Sequence, residues 1–417
     1  PILFVTYGNG HIAKVAPVVK ALNSLGLPAV VMALTLGYKQ AQRLGLSPVG
    51  YSDFLHLVDR ERALALGAPL LADNSHPDVD PFESQCYLGI NYMDWVDRLG
   101  EAQAATSYAQ GGRRSFLPLN FLGQVIDHLQ PLLVVSTASP RSEQAAIEAA
   151  VKRGVPSMTM MDLFAMPHDN FRRNTVFADR ITVLSDFARN NLIEAGVPAD
   201  RIEVTGCPAY DRLFDPQEAA DAVTFKQRQG WDNLKVVMWA GNLEEPAANV
   251  PPEFLGSGLG LIVERRLRNW VAGRDDVALI VRYHPNQYHL FEDLGPQPRV
   301  YVSNPTQDRL HPQLHACDCI VTQTSTVGFE GALIGKRLMV LSFSPWVINF
   351  DFDYGKLGLG ESVPKLDDLV PMLEPIVPAP TNLSAFPPPG AATPRVVEQM
   401  LNLIRSAPSQ TAVDKGK

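Results

Sequence analysis

The sequence predicts an α/β protein with two parallel β-sheets, and three observations support that prediction. Short apolar runs bounded by Gly, Pro or Ser alternate with segments of helical period, as in parallel α/β sheets. The chain has 417 residues, more than one hydrophobic core usually supports, so two domains are expected. The alternation pauses near residue 210 and then begins again, which predicts two similar halves.

The first half begins with the apolar run ILFVTY, a Gly-Asn-Gly loop, a helix that extends to Leu25, and the run AVVMAL. Residues 52–125 interrupt this rhythm with mostly helical, aromatic-containing sequence, so we interpret them as an insertion near a cleft. The alternation then resumes with LLVVS, a helix near 142–153 and VPSMTMMD. The run RITVLS precedes a helix that we expect to end at Gly196, because glycine is favoured just after a helix.

The second half begins with KVVMWAGN at 235–242. It continues through a long helix, the runs VALIVRYHPN and RVYVS, and a helix at 308–316. A closing helix from Thr393 to Arg405 has proline at its second residue, a good helix start. We therefore predict domains at 1–215 and 216–390, followed by a C-terminal helix and tail at 391–417, with a cleft between the two halves.

Composition excludes several classes of partner. The net charge of −8 and the pI near 5.6 argue against nucleic acid, which requires a basic face. No run approaches the ~20 apolar residues of a membrane helix. Four irregularly spaced cysteines predict no disulfide framework, so the expected location is the cytoplasm, and we leave open peripheral contact with the inner face of the membrane.

The most informative segment is ACDCIVTQTSTVGFEGALIGKRLMVL, residues 316–341. Its pattern predicts a strand, a turn with the hydroxyl residues Thr324, Ser325 and Thr326, a helix, and a second strand. The first N–H groups of a helix have no partner within it and carry partial positive charge, so they suit a phosphate. Glu330, one turn inside the helix, is placed to accept hydrogen bonds from a ribose diol.

A second candidate site follows the first strand, at Gly10 and His11. Glycine allows a ligand to approach the backbone, and histidine titrates near neutral pH, as a general base requires. Lys14 lies one turn later, where it contacts either phosphate or solvent.

Two further loops follow predicted strands in the second half. They contain Gly241-Asn242 and His284-Pro285, which we predict to hydrogen-bond a phosphate or base of a nucleotide. An ordinary connecting loop is the alternative at each place. Three such loops that converge on one edge are a stronger signal than each loop alone.

Other groups carry weaker signals. His311, His315, Cys317 and Cys319 resemble zinc ligands, but no second ligand pair has the required spacing, so we predict no metal site. Asp351 and Asp353 form a DxD tripeptide, from which we expect contacts to sugar hydroxyls rather than metal binding. In the insertion, Asp94 and Trp95 are candidates for acceptor binding, with helix packing as the alternative.

These motifs together resemble the GT-B superfamily, which includes nucleotide-sugar glycosyltransferases and the non-hydrolysing UDP-N-acetylglucosamine 2-epimerases. The similar segments are YGNGHIAKVAPVVKAL, LSDFARNNLIEAGVPADRIEVTGCPAYDRL and TQTSTVGFEGALIGKRLMVL. The resemblance implies two Rossmann-like domains facing a cleft, with the C-terminal helix returning to the first domain. It also implies that Glu330 binds ribose. The pairs His284-Pro285 and Ser325-Thr326 are similar to the cytidine-nucleotide motifs of capsule-synthesis transferases.

The sequence departs from the epimerase pattern. Asn9 and His11 stand where epimerases carry Arg and Glu, and residues 136–140 lack the epimerase acidic motif. Residues 323–326 replace an Asp-Ser-Gly-Gly donor loop. Epimerisation requires acids and bases around the sugar ring, whereas transfer requires one base and a cradle for the departing nucleotide.

We therefore expect a glycosyltransferase that moves a sugar from a UDP-sugar or CMP-sugar to a hydroxyl acceptor in glycan or glycolipid synthesis, with inversion and without a metal or cofactor. His11 is the expected catalytic base, with Asp162 and Glu143 as alternatives. A 2-epimerase and a non-catalytic nucleotide-sugar binding subunit remain the alternative functions. The sequence leaves the oligomeric state unspecified.

Overall fold

The computed structural model describes residues 1–72, 74, 78–161, 164–246, 250–378 and 381–406. The chain divides into two compact units. The first comprises Pro1–Asp211 together with the C-terminal segment from Phe386, and the second comprises Arg212–Ala385.

The first unit alternates strands and helices, with three additional helices between its third and fourth strands. Its elements in chain order are β1 (Ile2–Tyr7), α1 (Gly8–Ser24), β2 (Ala29–Leu34), α2 (Leu36–Arg43), β3 (Pro48–Val49), α3 (Arg60–Gly67), α4 (Pro81–Leu99), α5 (Glu101–Gly111), α6 (Leu119–Leu129), β4 (Leu133–Thr137), α7 (Ser142–Arg153), β5 (Ser157–Met160), β6 (Arg180–Val183), α8 (Asp186–Glu194) and β7 (Ile202–Val204).

The second unit repeats this alternation. Its elements are α9 (Pro216–Gln229), β8 (Lys235–Gly241), α10 (Gly258–Ala272), β9 (Val277–Tyr283), β10 (Val300–Val302), α11 (Leu310–Ala316), β11 (Cys319–Thr322), α12 (Thr326–Leu333), β12 (Arg337–Leu341), α13 (Pro345–Phe350), β13 (Glu361–Val363) and α14 (Leu369–Leu373). The last helix, α15 (Ala392–Ser406), belongs to the first unit.

Within the described residues, the first sheet has seven parallel strands in the order β3-β2-β1-β4-β5-β6-β7. The second, counted over the same residues, has six parallel strands in the order β10-β9-β8-β11-β12-β13. In each sheet the strand order reverses beside the unit's first strand, between β1 and β4 and between β8 and β11. Loops at such a switch point diverge and leave room for a ligand.

Strand β1 shows why these apolar runs form central strands. Leu3 and Val5 pack into one hydrophobic cluster, on the face that also receives the helical insertion. Ile2 and Phe4 pack into another, on the face covered by α1 and α15. Both faces of the strand are therefore buried, as expected of a parallel sheet between layers of helices.

The C-terminal helix is fixed to the first unit at its start. Asp211 accepts hydrogen bonds from the backbone N–H groups of Ala392 (2.9 Å) and Thr393 (2.7 Å), which satisfies two donors at the beginning of α15. Arg395 Nε donates to the carbonyl of Thr205 at 2.8 Å. The predicted return of this helix to the first domain is confirmed.

The insertion is a helical layer with an aromatic core. Helices α3 and α4 approach so closely that a Cβ atom added at Gly89 would lie 1.8 Å from the carbonyl oxygen of Ala63. Tyr51 stacks on Phe121 with 4.7 Å between ring centroids, and the Tyr51 hydroxyl lies 2.8 Å from the Ser142 hydroxyl. The predicted helical character of this region is observed, although α6 is a regular helix of the first unit's α/β alternation.

Candidate functional site

The first group of polar side chains lies at the switch point between β1 and β4. His11 Nδ1 is 2.8 Å from the hydroxyl of Thr137, the last residue of β4. That hydroxyl donates to Glu143 Oε1 at 3.0 Å, and Thr6 Oγ1 lies 3.3 Å from it. Glu143 and Thr6 are fully buried, whereas the His11 side chain is 22% exposed. We refer to His11, Thr137 and Glu143 as the relay.

The direction of these hydrogen bonds fixes the histidine tautomer. Thr137 has one hydroxyl proton, and Glu143 receives it. The Thr137 oxygen must then accept from His11, so Nδ1 carries the imidazole proton. The basic lone pair is therefore on Nε2. This arrangement, a histidine oriented by a hydrogen bond that leads to a buried carboxylate, is the one that general bases use.

The other candidates of the first unit have different surroundings. Glu143 lies 3.6 Å from His11 Nδ1, so the structure brings these two predicted residues together. Gly10 is exposed in the first turn of α1, and Lys14 is buried in the same helix. Asp162 lies outside the described residues.

Sequence reasoning missed Thr137, which joins the two predicted residues. Its position at the end of β4, one strand from β1, was the available signal, because the carboxyl ends of neighbouring parallel strands meet at one edge. A threonine at the end of a strand is too common to be singled out without that neighbour.

In the second unit, Gln323 links the loops of the other switch point. Its side-chain carbonyl accepts from the N–H of Asn242 at 3.0 Å, and its amide donates to the Asn242 carbonyl at 2.9 Å. The loop after β8 is held further by Gln287, whose Oε1 accepts from the N–H of Leu243 at 3.0 Å. Neither glutamine was predicted as a site residue. Together they fix the loop that contains the predicted Gly241-Asn242.

Helix α12 begins where the sequence predicts it. Ser325 is its N-cap, and the Ser325 hydroxyl accepts from the N–H of Val327 at 3.3 Å. Thr322 Oγ1 accepts from the N–H of Ser325 at 3.0 Å and donates to the Ala240 carbonyl at 2.7 Å. Tyr354 donates to the carbonyl of Thr324 at 3.3 Å. The turn is therefore rigid, and Thr324, Ser325 and Thr326 are each partly exposed.

Glu330 points toward His311, for which the sequence predicted no role in the site. His311 Nε2 is 3.6 Å from Glu330 Oε2, and His311 Nδ1 is 3.9 Å from Glu218 Oε1. The Glu330 side chain is 11% exposed. The buried guanidinium of Arg282 lies near enough to interact electrostatically with Glu330, while burial lowers the pKa of Arg282.

His284 and Pro285 are exposed after β9, as predicted for a loop. His284 Nδ1 accepts from the N–H of Asn286 at 3.2 Å, which leaves the ring proton of neutral His284 on Nε2. Partial desolvation lowers the pKa of His284. The neutral ring thus offers a hydrogen-bond donor without adding positive charge.

Two candidates of the insertion, Asp94 and Trp95, have structural roles that account for their positions. Asp94 is buried, pairs with Arg98 Nε at 2.6 Å and accepts from the N–H of Phe121 at 2.9 Å. Burial raises the pKa of Asp94. Trp95 lies in the aromatic core of the insertion. We therefore leave Asp94 and Trp95 out of the proposed site.

The two carboxylates of the DxD tripeptide differ. Asp353 is buried, and its two oxygens accept from the Gly355 N–H and the Ser362 hydroxyl, both at 2.7 Å, so it stabilises its own loop. Asp351 is exposed and pairs with Lys356. Asp351 alone is accessible to a ligand, and we leave Asp353 out of the proposed site.

The residues that resemble zinc ligands are engaged elsewhere. His315 Nε2 lies 2.8 Å from the Leu213 carbonyl, and Cys317 Sγ donates to the Gln313 carbonyl at 3.0 Å. Across the described part of the chain, no cluster of three or more His, Cys, Asp or Glu side chains is arranged to hold a metal ion. Over the same part, no helix has both the length and the apolar character needed to cross a membrane.

Comparison with known proteins identifies the fold. Neither a protein-family model nor a curated protein sequence matches the chain. Among solved structures, it is similar to the UDP-GlcNAc 2-epimerase of Neisseria meningitidis bound to UDP-GlcNAc, with a TM-score of 0.57 and 16% identity over 96% of this chain and 99% of that one. It is also similar to S. aureus MnaA in a co-structure with UDP, with a TM-score of 0.57 and 16% identity over 99% of each chain. The wall teichoic acid polymerase TagF matches with a TM-score of 0.54 and 13% identity over 97% of this chain and 89% of that one.

The chain has the GT-B fold. The predicted fold class is confirmed, and UDP-GlcNAc 2-epimerases, one of the enzyme classes named by the resemblance, occur among the similar structures. In this fold, the relay lies in the first Rossmann-like unit, and the Gln323 link with α12 lies in the second. At identities of 13–16%, these comparisons establish the GT-B fold and leave the reaction to be argued from the residues.

Proposed function

We propose that this GT-B protein is a glycosyltransferase that moves a sugar from a nucleotide-sugar donor to a hydroxyl acceptor in glycan or glycolipid synthesis. The observation that carries the proposal is the relay, because it supplies a histidine with its lone pair on Nε2 and a buried carboxylate behind it. A UDP-sugar is the favoured donor, since similar structures contain UDP or UDP-GlcNAc. A CMP-sugar is the second candidate, from the His284-Pro285 and Ser325-Thr326 motifs.

In the proposed reaction, the acceptor hydroxyl gives its proton to Nε2 of His11 as its oxygen forms a bond to the anomeric carbon. The bond from that carbon to the phosphate oxygen breaks, and its electron pair leaves with the nucleotide. Attack opposite the leaving group inverts the anomeric configuration. Glu143 stabilises the imidazolium through Thr137, as the carboxylate of a catalytic triad does.

We assign donor binding to the second unit. The first N–H groups of α12, next to Thr324, Ser325 and Thr326, would donate hydrogen bonds to the leaving phosphate and so stabilise the negative charge that grows on it. His284 would add a neutral donor, and the Gly241-Asn242 loop would hold the remaining polar groups of the nucleotide. Glu330 would bind the ribose in place of its contact with His311.

An epimerase is the second candidate, because UDP-GlcNAc 2-epimerases are prominent among the similar structures. It would convert a nucleotide-sugar without any acceptor, which a transferase would not do. The sequence argues against it, since His11 occupies the position of an epimerase acid. Incubation with UDP-GlcNAc alone, followed by NMR of the sugar, separates the two candidates.

The test of the transferase is His11→Ala. Loss of a general base costs roughly 100-fold or more, so turnover should fall by at least ~100-fold, whereas the donor should bind with unchanged affinity. His56→Ala is a matched control, because His56 is exposed in the same unit and lies outside the relay. Its Nδ1 is 3.0 Å from the Asp53 carbonyl, and its ring packs edge-on against His128.

The measurement begins with a thermal-shift screen against UDP, CMP, CDP, GDP and their sugar conjugates. A ligand of the native state at 100 times its Kd stabilises it by ~2.7 kcal/mol. Turnover of the bound conjugate is then measured with candidate acceptors. Undiminished turnover in His11→Ala would exclude this base, and binding without transfer, hydrolysis or epimerisation would indicate a non-catalytic binding subunit.

A further inference from the structure

A cavity of about 160 Å³ opens in the first unit beside the relay. Tyr7 and Gly8, at the junction of β1 and α1, form part of its wall three to four residues before His11. The aliphatic side chains of Leu34, Leu36 and Leu88 form an apolar part of the wall. A cavity of roughly 150 Å³ accommodates a benzene ring. The space therefore suits a small ligand or one end of a larger one.

The polar end of this cavity is positively charged. Arg113 lines it, and the guanidinium of Arg141 lies 4.0 Å from the centroid of the Tyr7 ring. In the described part of the chain, neither arginine forms an ion pair with a carboxylate, although such pairs are common at the surface of this protein. Arg141 interacts electrostatically with the buried Glu143 and hydrogen-bonds Tyr7. Guanidinium groups that form no ion pair are suited to bind a planar or tetrahedral anion.

Tyr87 provides a second and independent indication of a ligand. Its ring lines the cavity and the residue is 6% exposed, yet its hydroxyl has no hydrogen-bond partner among the described residues. Burying a hydroxyl without a hydrogen-bond partner costs free energy, so a ligand is expected to bond to this hydroxyl in the functional state. Burial raises the pKa of Tyr87 to about 12, against the opposing effects of Arg141 and Arg113. At neutral pH the group is therefore protonated and able to donate.

The acidic residue in the wall does not cancel this charge. Glu83 lines the cavity, but its oxygens accept from the N–H groups of Tyr51 (2.6 Å) and Ser52 (2.9 Å). Burial raises the pKa of Glu83. Its hydrogen-bonding capacity is directed at the backbone.

We propose that this cavity binds an anionic group, a phosphate or a carboxylate, carried by the acceptor, with Arg113, Arg141 and the Tyr87 hydroxyl as its ligands. The word acceptor rests on the proposed transferase, whereas anion binding stands on the cavity itself. Glu143 of the relay lies close enough to interact electrostatically with the Tyr87 hydroxyl, so an anion held there places the rest of the molecule beside His11. A second cavity, of about 300 Å³, shares Thr35, Val79 and Glu83 and offers room for that remainder.

The test uses simple probes on the full chain, measured by isothermal titration calorimetry. Phenyl phosphate and benzoate combine an anion with a ring that fits the cavity, benzyl alcohol lacks the charge, and inorganic phosphate lacks the ring. At least one of the two anions should bind at least 10-fold more tightly than benzyl alcohol. The tighter one identifies phosphate or carboxylate as the natural group. The proposal is overturned if neither anion binds at concentrations up to 10 mM, which is about twice a Kd of ~5 mM.

Arg113→Ala should lower the affinity for the anion at least 10-fold. Arg114→Ala is the matched control, because Arg114 is the exposed neighbour and does not line the cavity. Equal effects of the two substitutions would overturn the proposal. Tyr87→Phe should weaken binding several-fold without lowering the melting temperature, since the hydroxyl has no protein partner to lose. A lower melting temperature with unchanged anion affinity would overturn the role of this hydroxyl.

A competition experiment separates acceptor from donor. Saturating UDP should leave the affinity for phenyl phosphate or benzoate unchanged, because donor binding is assigned to the second unit. Displacement by UDP would mean that the cavity holds the donor diphosphate, which overturns the acceptor assignment. If the anions bind as expected while no glycosyl transfer is found, the proposed function fails and the anion site stands.

Discussion

At the switch point of the first sheet, the buried carboxylate of Glu143 is joined to His11 through a threonine hydroxyl. At the switch point of the second sheet, the amide of Gln323 joins the loop after β11 to the backbone of Asn242. Both arrangements lie at the carboxyl ends of central strands. They differ in that His11 and Glu143 have ionisable side chains, whereas the side chain of Gln323 is a neutral amide. One fold therefore places the ionisable side chains of the relay in one unit and the neutral Gln323 link in the other.

This difference predicts that substitutions in the two units affect different steps, turnover in the first unit and donor binding in the second. Changes in the relay should lower turnover and leave donor affinity unchanged. Changes around α12 should lower donor affinity or stability and leave the chemical step unchanged. The following substitutions test the division, beginning with the one of largest effect.

Thr137→Val should reduce turnover by ~100-fold at saturating donor, because the side chain keeps its shape but no longer fixes the proton on Nδ1 of His11. Donor Kd, measured by calorimetry, should stay within ~2-fold of wild type. The control is Thr159→Val, a buried threonine of β5 that contacts Ser136 at 3.3 Å and lies outside the relay. Equal turnover losses in the two variants would mean that the relay acts through stability and not through proton transfer.

Glu330→Gln should weaken donor binding by ~10-fold, equivalent to ~1.4 kcal/mol, because a neutral amide accepts weaker hydrogen bonds from a ribose than a carboxylate does. Turnover at saturating donor should be within ~3-fold of wild type. Glu218→Gln is the matched control, since Glu218 is also buried beside His311 but lies in a different helix, α9. If Glu330→Gln lowers saturated turnover as strongly as Thr137→Val does, the division between the two units is wrong.

The central strands and the beginning of α12 could be predicted because their signals are local. A run such as ILFVTY is buried on both faces, and Ser325 is capped within its own turn. The relay required contacts across 126 residues of sequence, between His11 and Thr137, so only its ends were proposed. Asp94 and Asp353 were candidates by residue type, but tertiary packing decides whether a carboxylate caps a helix, closes a turn or faces a ligand. The residue type of His311 suggested only a metal ligand, because its contact with Glu330 depends on how α11 packs on α12.

The N-termini of α1 and α12 offer the smallest test of the comparison. The Ser325 side chain caps α12. The side chain of Tyr7, the N-cap residue of α1, makes no capping hydrogen bond. Ser325→Ala should lower the free energy of unfolding by about 1 kcal/mol, the usual cost of losing a cap, as measured by urea denaturation.

Thr324→Ala is the control for that measurement, because the Thr324 side chain makes no hydrogen bond within the described residues and its carbonyl contact with Tyr354 is retained. Nucleotide present at saturation should restore part of the loss in Ser325→Ala, since phosphate oxygens can accept from the N–H groups that the serine no longer satisfies. If UDP and CMP each stabilise Ser325→Ala no more than wild type, the phosphate does not sit at this helix terminus. The second unit would then bind the nucleotide through Glu330 and the loop after β8 alone.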